Sequence, residues 1–515
     1  MTAVRTTCRR HAATAMKHQV RQITSALLAL LASASVLCAC GADPAAPAVT
    51  DAPDTDVTAA DTAARIEPLI DWKSAGLEQV DYNGEEFHFA VQNITANTYA
   101  WFMMDPDEAN GEVLNDAIFN RNAKIEELFN ISITSVYDDN PHNLIKKSVS
   151  AGDAAYDATL CYLNNLYAIA RDGNLYNWYD LPNINLEAEW WDQTFISQLT
   201  LMGQLYGCSG DISPAMNIRC FAMLFNKDMC NSLGIEMPYQ YVLDGTWTLD
   251  RFRGYVTDIN SDLNGDGVMD YEDRWGFFSE DGNSYMYYCS NGGSVVTIDG
   301  DTAYLSFNTA PNVELATEAI ALTINPETTL RANKMVDAST LGWTAASNWF
   351  AEGNALIRST SLEPVPRDFR SLDVNFGIVP YPKLDESQKD YHSMGDNASA
   401  RVIGVPVTSD AEFVSTILEV LAAESVNTVS TAFYDRCLDG KIMRDEESSA
   451  MLDIIFANKV FDLGLIYNLG SFKDKLVSQE KKGSTDVASV FASIEKTAQK
   501  ALDKVLEDFE ALASN

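Results

Sequence analysis

The sequence predicts an α/β fold, and three observations carry that expectation. Alternating apolar positions in Glu85–Val91 mark a strand, an apolar stripe at helical spacing follows over Val113–Phe129, and a β-rich run occupies Ile131–Val136. That order is a βαβ unit, whose parallel strands need a helical crossover. Of the 515 residues, 46% are apolar and 10% aromatic, enough to bury a core, and the length suits two large lobes.

The head of the chain has a different character. Residues 1–39 contain Arg5, Arg9, Arg10, Lys17 and Arg21 and no acid, and Ile23–Leu37 is uncharged and mostly apolar. That stretch is shorter than the ~20 residues a membrane-spanning helix needs, and it fits the core of an export signal. Leu37-Cys38-Ala39-Cys40 then resembles the lipobox of bacterial lipoprotein signals. The resemblance implies cleavage before Cys40 and a diacylglycerol anchor on its sulfur; Cys38 fits less well because bulky Leu37 precedes it. Residues 41–64 are almost wholly Ala, Asp, Thr and Pro, too poor in apolar surface to offset the entropy of ordering. Residues 40–80 are therefore read as a lipid-anchored tether, with the folded body beyond it.

Within the body, Leu114, Ala117, Ile118, Ile125, Leu128 and Phe129 share one helical face. A buried strand is expected over Tyr156–Cys161, ending in a polar loop at Tyr162–Asn165, and ligands of open α/β sheets bind at such strand ends. Val490, Ile494, Ala498, Ala501, Val505 and Phe509 form a packed stripe on a helix over Val487–Ala511.

From Leu205 the text becomes more specific. Leu205-Tyr206-Gly207, Leu224-Phe225-Asn226-Lys227, Gly245-Thr246-Trp247-Thr248, Phe350–Leu356, Phe376–Lys383 and Leu418–Ser425 occur in an order that resembles the bacterial extracellular solute-binding proteins of family 1, the sugar-type class of ABC transporters. The resemblance spans most of residues 80–510. It implies a two-lobed, hinge-bending (type II) periplasmic-binding-protein-like fold with a helix-rich C-terminus. Lobe 1 is expected at about 81–207 plus about 373–404, lobe 2 at 208–372, and a helical part at 405–515 packing on the lobes.

One local motif stands apart. Asp262, Asn264 and Asp266 at loop positions 1, 3 and 5, Gly267 at 6, the Val268 carbonyl at 7, and Asp270 and Asp273 at 9 and 12 have the spacing of a calcium loop of the EF-hand type. Calcium needs six to eight hard oxygens, and this spacing wraps them about one centre. Asp273 replaces the usual Glu, and Arg274–Phe278 reads as a strand, so a structural ion that pins a loop is expected, against a solvated Asx-turn loop as the alternative.

A sugar offers an apolar CH face and a hydroxyl rim, so its site needs flat aromatics beside hydrogen-bonding side chains. Trp101, Tyr162, Asn164 and Asn165 fall at expected strand-end loops, Ser209 and Asp211 lie just past a crossing strand, and Tyr285 and Trp343 are further aromatics. By the resemblance, Arg358 and Ser359 face the cleft, and Asp396 and Asn397 precede the last crossing. Catalytic signatures are poor: downstream of the signal stand only His88, His142 and His392, with no G-x-S-x-G, phosphate loop or H-E-x-x-H. No enzymatic role is read. Cys161, Cys208, Cys220, Cys230, Cys289 and Cys437 form no CxxC, and both disulfides and buried thiols fit them.

The formal charge of -37 opposes nucleic-acid binding and argues against an anionic ligand. The implied role is that of a monomeric lipoprotein on the outer face of the bacterial cytoplasmic membrane, capturing an oligosaccharide or polyol for an ABC permease. Two alternatives stay open: a peptide- or amino-acid-type binding lipoprotein, marked by a paired Asp and Arg in the cleft, and a surface lipoprotein that binds or hydrolyses glycan.

Overall fold

The computed structural model describes residues 69–93, 99–280, 282–332, 338–438 and 446–514, with backbone alone at 338–343, 436–438 and 446. Its strands in chain order are β1 (Glu85–Gln92), β2 (Ile131–Asp138), β3 (Ala158–Tyr162), β4 (Phe221–Asn226), β5 (Trp275–Ser279), β6 (Val296–Asp299), β7 (Thr302–Leu305), β8 (Thr329–Arg331), β9 (Ala355–Ser361), β10 (Phe376–Val379), β11 (Ser393–Met394), β12 (Arg401–Gly404) and β13 (Lys459–Val460). They build a four-stranded sheet in the order β12-β3-β1-β2 and a five-stranded sheet in the order β10-β4-β9-β5-β8, one per lobe.

The βαβ unit read from the sequence is present. A helix runs over Val113–Phe129, its first turn capped by the Glu112 carboxylate and its end turned by Asn130 at φ 48°. It buries Leu114, Ile118, Ile125 and Phe129, and the chain re-enters as β2, parallel to β1 from Glu85↔Ile131 onward. β3 adds parallel on the other side, and β12 closes the sheet antiparallel, Arg401 opposite Tyr162. In the second lobe β4 pairs antiparallel with β9, which runs parallel to β5.

The lobes are joined by several passes of chain. Cys208 pairs with Ile403 and Cys220 with Gly395, so the outgoing and returning runs lie side by side. A third run, β13, pairs with β11 and is tied to lobe 1 by the buried ion pair Lys459–Asp192 at 2.9 Å.

Two boundaries differ from the sequence reading. The segment 373–404 does not belong wholly to lobe 1: Phe376–Val379 pairs with β4 in the second sheet, and only Arg401–Gly404 joins the first. The tether is also shorter at its C-terminal end. Trp72 is buried edge-on against Phe129 and its backbone N–H donates to Glu424, so residues from Ile70 pack on lobe 1. Cys161, Cys208, Cys220, Cys230 and Cys289 are buried free thiols, and the Cys437 side chain lies outside the described residues. Among the described residues no helix is long and apolar enough to cross a membrane.

Candidate functional site: the interlobe cleft

A cavity of about 670 Å³ lies between the lobes, within the size range of small-molecule sites. Strand ends supply it. Tyr162 is the last residue of β3, Glu280 follows β5, Ser361 ends β9, and Phe102 sits in the short turn Ala100–Phe102 after β1. Arg401 joins them because β12 is antiparallel: its first residue faces the last of β3. Arg219 comes from the outgoing crossing, and Lys473 from the helix Phe472–Lys482. A larger cavity, about 990 Å³, draws its lining only from 235–259 and 384–387, so closure of the lobes could not enclose it.

The lining combines aromatic faces (Phe102, Tyr162, Phe221 and Tyr285) with fixed charges. Arg219 donates one terminal nitrogen to Glu363 and the other to Asp396 at 2.8 Å. Arg367 spans Glu363 and Asp368. Glu280 is neutralised from behind by the fully buried Arg358, at 2.6 Å. Burial opposes ionisation of Asp396, yet Arg219 and Ser399 outweigh it and hold the carboxyl near 2. Burial also loosens the proton on Arg219, but Asp396 and Glu363 more than reverse this. Arg401 is drawn down to about 10 by burial, with Arg219 adding to that pull and Tyr162 and Glu363 opposing it.

Of the residues expected from sequence, Tyr162 and Tyr285 line the cavity. Burial raises the Tyr285 hydroxyl well above its usual range, and Lys473 sits 4.6 Å from its ring. The others stand elsewhere. Trp101 is buried beneath the lining, stacked on Tyr99 at 4.6 Å and set edge-on to Phe102. Asn164 and Asn165 are not in a loop, because the helix Leu163–Arg171 starts directly after β3, and the Asn164 side chain accepts from the Asn165 N–H. Ser209 and Asp211 serve the crossing: the Ser209 carbonyl accepts from Asp192, and Asp211 accepts from Ser430. Arg358 and Ser359 are wholly buried in β9, one layer behind the surface. Asp396 acts through Arg219, and the Asn397 side chain accepts from the Asp462 N–H as a hinge brace. Trp343 lies in the helix Ala338–Ala351, but its side chain is outside the described residues, as is Cys40.

The sequence reading missed Phe102, Arg219, Glu280, Glu363, Arg367, Arg401 and Lys473. The one available signal was the arginine opening the apolar run Arg401-Val402-Ile403-Gly404, a cation at a strand end beside the last crossing.

In the loop at 262–273, the Asp262 carboxylate accepts from Gly265 and Gly267, and Asp266 accepts from Val268. Gly267 has φ +80°, as the sharp sixth-position turn requires. Asp262, Asn264, Asp266 and Val268 are exposed, and Asp270 is partly so. Asp273 is fully buried, and its two oxygens accept from Leu263 and Asp270, both at 2.9 Å. Among the described residues no three His, Cys, Asp or Glu side chains are gathered as a ready metal cluster.

Two sheets, repeated crossings and a cavity between the lobes define the two-lobed periplasmic-binding-protein-like fold. The solved structures similar to this chain have the same architecture. One is an ABC substrate-binding protein from Listeria monocytogenes in complex with cycloalternan, at 14% identity and TM-score 0.51 over 83% of this chain and 99% of that one. Another is UspC of M. tuberculosis, at 16% and 0.54 over 81% and 100%. A third is a cyclo/maltodextrin-binding protein complexed with maltotetraose, at 15% and 0.50 over 83% and 97%. No protein-family model and no curated protein sequence matches the chain.

Proposed function

We propose that this chain is the extracellular substrate-binding lipoprotein of an ABC importer, and that it captures a carbohydrate in the interlobe cleft and passes it unchanged to a membrane permease. One observation carries the reading: the cavity of about 670 Å³ at the strand ends draws aromatic faces and hydrogen-bonding groups from both lobes. Such a site can hold a sugar ring by its CH face and its rim together. The bound sugars named for two of the similar folds support the same reading.

The peptide alternative needs a free acid for the ligand's ammonium and a free base for its carboxylate. Glu363 is already shared by two arginines, and Glu280 is held by Arg358. Two of the three lining acids are therefore spent, and the third, Asp474, is exposed and accepts from the Asn468 side chain at 3.1 Å.

The action is mechanical. A ligand touching both lobes favours the closed state by its differential affinity for closed over open, a few kcal/mol for a substantial shift. Micromolar affinity, about -8 kcal/mol, suffices for capture. Cys40 would carry the diacylglycerol, and the tether would let the body sample the outer face of the cytoplasmic membrane. The loop Asp262–Asp273 would hold a structural calcium through Asp262, Asn264, Asp266, the Val268 carbonyl and Asp270, with Asp273 bracing the loop from within. The test is a thermal-shift screen of oligosaccharides, peptides and calcium, followed by small-angle scattering with the best ligand. Carbohydrate stabilisation with a smaller radius of gyration is expected. Stabilisation by peptides alone, or recovery of a cleaved glycan, overturns the reading.

A further inference from the structure

Among the described residues, every buried charge at the cleft has an ion-pair partner except one. Arg401 is 5% exposed and lines the cavity, and its Nε has no hydrogen-bond partner. Among the described residues no ion pair reaches it, whereas Arg219, Arg358 and Arg367 each hold one or two carboxylates. An uncompensated guanidinium out of water is costly, and its place at a cavity wall gives the missing partner a way in.

The geometry of its support fixes what that partner looks like. The guanidinium carbon stands 3.6 Å from the centroid of the Phe102 ring and 5.1 Å from that of Tyr162. A guanidinium packed over an aromatic ring turns its N–H edge sideways; the Tyr162 side chain is a hydrogen-bonding neighbour of that edge, and the edge matches the two in-plane oxygens of a carboxylate. Lys473 adds a second cation on the lining, over the Tyr285 ring at 4.6 Å. Of the three lining acids, Glu280 and Glu363 are already paired with arginine, and Asp474 is exposed and held by the Asn468 amide. The net charge of -37 does not decide the matter, because a site responds to its local field.

We infer that the cleft takes an acidic carbohydrate, an oligosaccharide bearing uronate residues, with one carboxylate seated on the edge of Arg401. The inference rests on the sugar-capture reading above and reverses the expectation from net charge. Lys473 assists at longer range, and the sugar rings pack on the aromatic surface that the cations leave uncovered.

Titration calorimetry on the purified protein tests it, using oligogalacturonides and oligoglucuronides of a few units against the same chains with their carboxyl groups reduced to alcohols. The acidic chains should bind about ten- to a hundredfold more tightly than the reduced ones, and Arg401→Gln should remove most of that difference. Because Arg401 also packs on Phe102, Lys473→Gln serves as a second variant; it should weaken the acidic ligand several-fold more than the reduced one. Equal binding of acidic and reduced chains overturns the inference while the sugar reading stands. Binding confined to peptides, or no binding of any oligosaccharide, overturns both.

Discussion

Arg358 was expected to face the ligand, and the structure instead makes it the buried counter-charge of Glu280. Its side chain is 0% exposed, that of Glu280 is 11% exposed, and two of its nitrogens reach one Glu280 oxygen at 2.6 and 3.2 Å. Replacing it by methionine keeps most of the volume but strands a carboxylate in a nearly dry site, at a cost of about 3–5 kcal/mol. The lost bond to the Ser347 hydroxyl, at 3.0 Å, adds about 1 kcal/mol. Glu280→Gln alone strands the guanidinium and should cost a similar amount. The double variant strands neither charge and should recover all but about 1–2 kcal/mol, a coupling of at least about 4 kcal/mol across the pair. Urea unfolding of the four proteins followed by tryptophan fluorescence measures it. If the double variant loses the sum of the two single losses, the pair is not coupled and the assignment of Arg358 as a support fails.

Stability should also respond to pH with a definite sign. Burial is the main cause that lifts Asp157 and Asp211 to about 6 and Glu419 to about 7, from 3.8 and 4.5. Between about pH 4 and 7 the folded chain then holds more protons than the unfolded one, so stability falls as the pH rises through those values. The melting midpoint should drop from about pH 5.5 to about pH 8, and Glu419→Gln should flatten the slope; a midpoint that climbs with pH refutes the argument. In the acidic loop, Asp273→Ala should destabilise the chelated protein by about 1–3 kcal/mol, because two buried N–H groups lose their acceptor. Asp266→Ala should change little until calcium is added and should then abolish the calcium-induced rise in midpoint. Equal effects of the two variants in chelator would contradict that division of roles.

How far the sequence carried is clear from particular stretches. The helix at 113–129 and the strands beside it were legible because they are local: one apolar stripe and a change of period from 3.6 to 2. The crossing at Leu205–Cys208 was legible as ordered text and takes its place opposite Ile403. The binding surface was not. Phe102, Arg219, Glu363, Arg401 and Lys473 are scattered over the chain, and a lone arginine beside polar neighbours reads as solvated surface until pairing brings it inside. Arg358 misled for the opposite reason: its strand does reach the cleft, but at Thr360 and Ser361, and Arg358 lies further back along it, wholly buried. Asn164 and Asn165 misled because a polar run after a strand is also how a helix can begin.

The C-terminal helix bears on how the lobes can move. Val487–Ala513 is long enough to reach roughly 40 Å, and its two ends hold different parts of the body. Phe491 packs on Phe307 of lobe 2 at 5.2 Å, while Phe509 sits edge-on to Tyr206 at 5.5 Å and its carbonyl accepts from Gln204 of lobe 1. The ion pair Arg171–Asp508 secures the lobe 1 end, with side chains 27% and 16% exposed. Any swing of one lobe against the other must therefore slip or pivot this helix, so part of the cost of closure lies far from the ligand. A half-exposed pair of this kind contributes about 1 kcal/mol at most. Arg171→Ala should release up to that amount, raising affinity as much as about fivefold and by the same factor for every ligand, since nothing at the cleft has changed. An effect on one ligand and not another would place the change in the site itself, and the helix would be no more than packing.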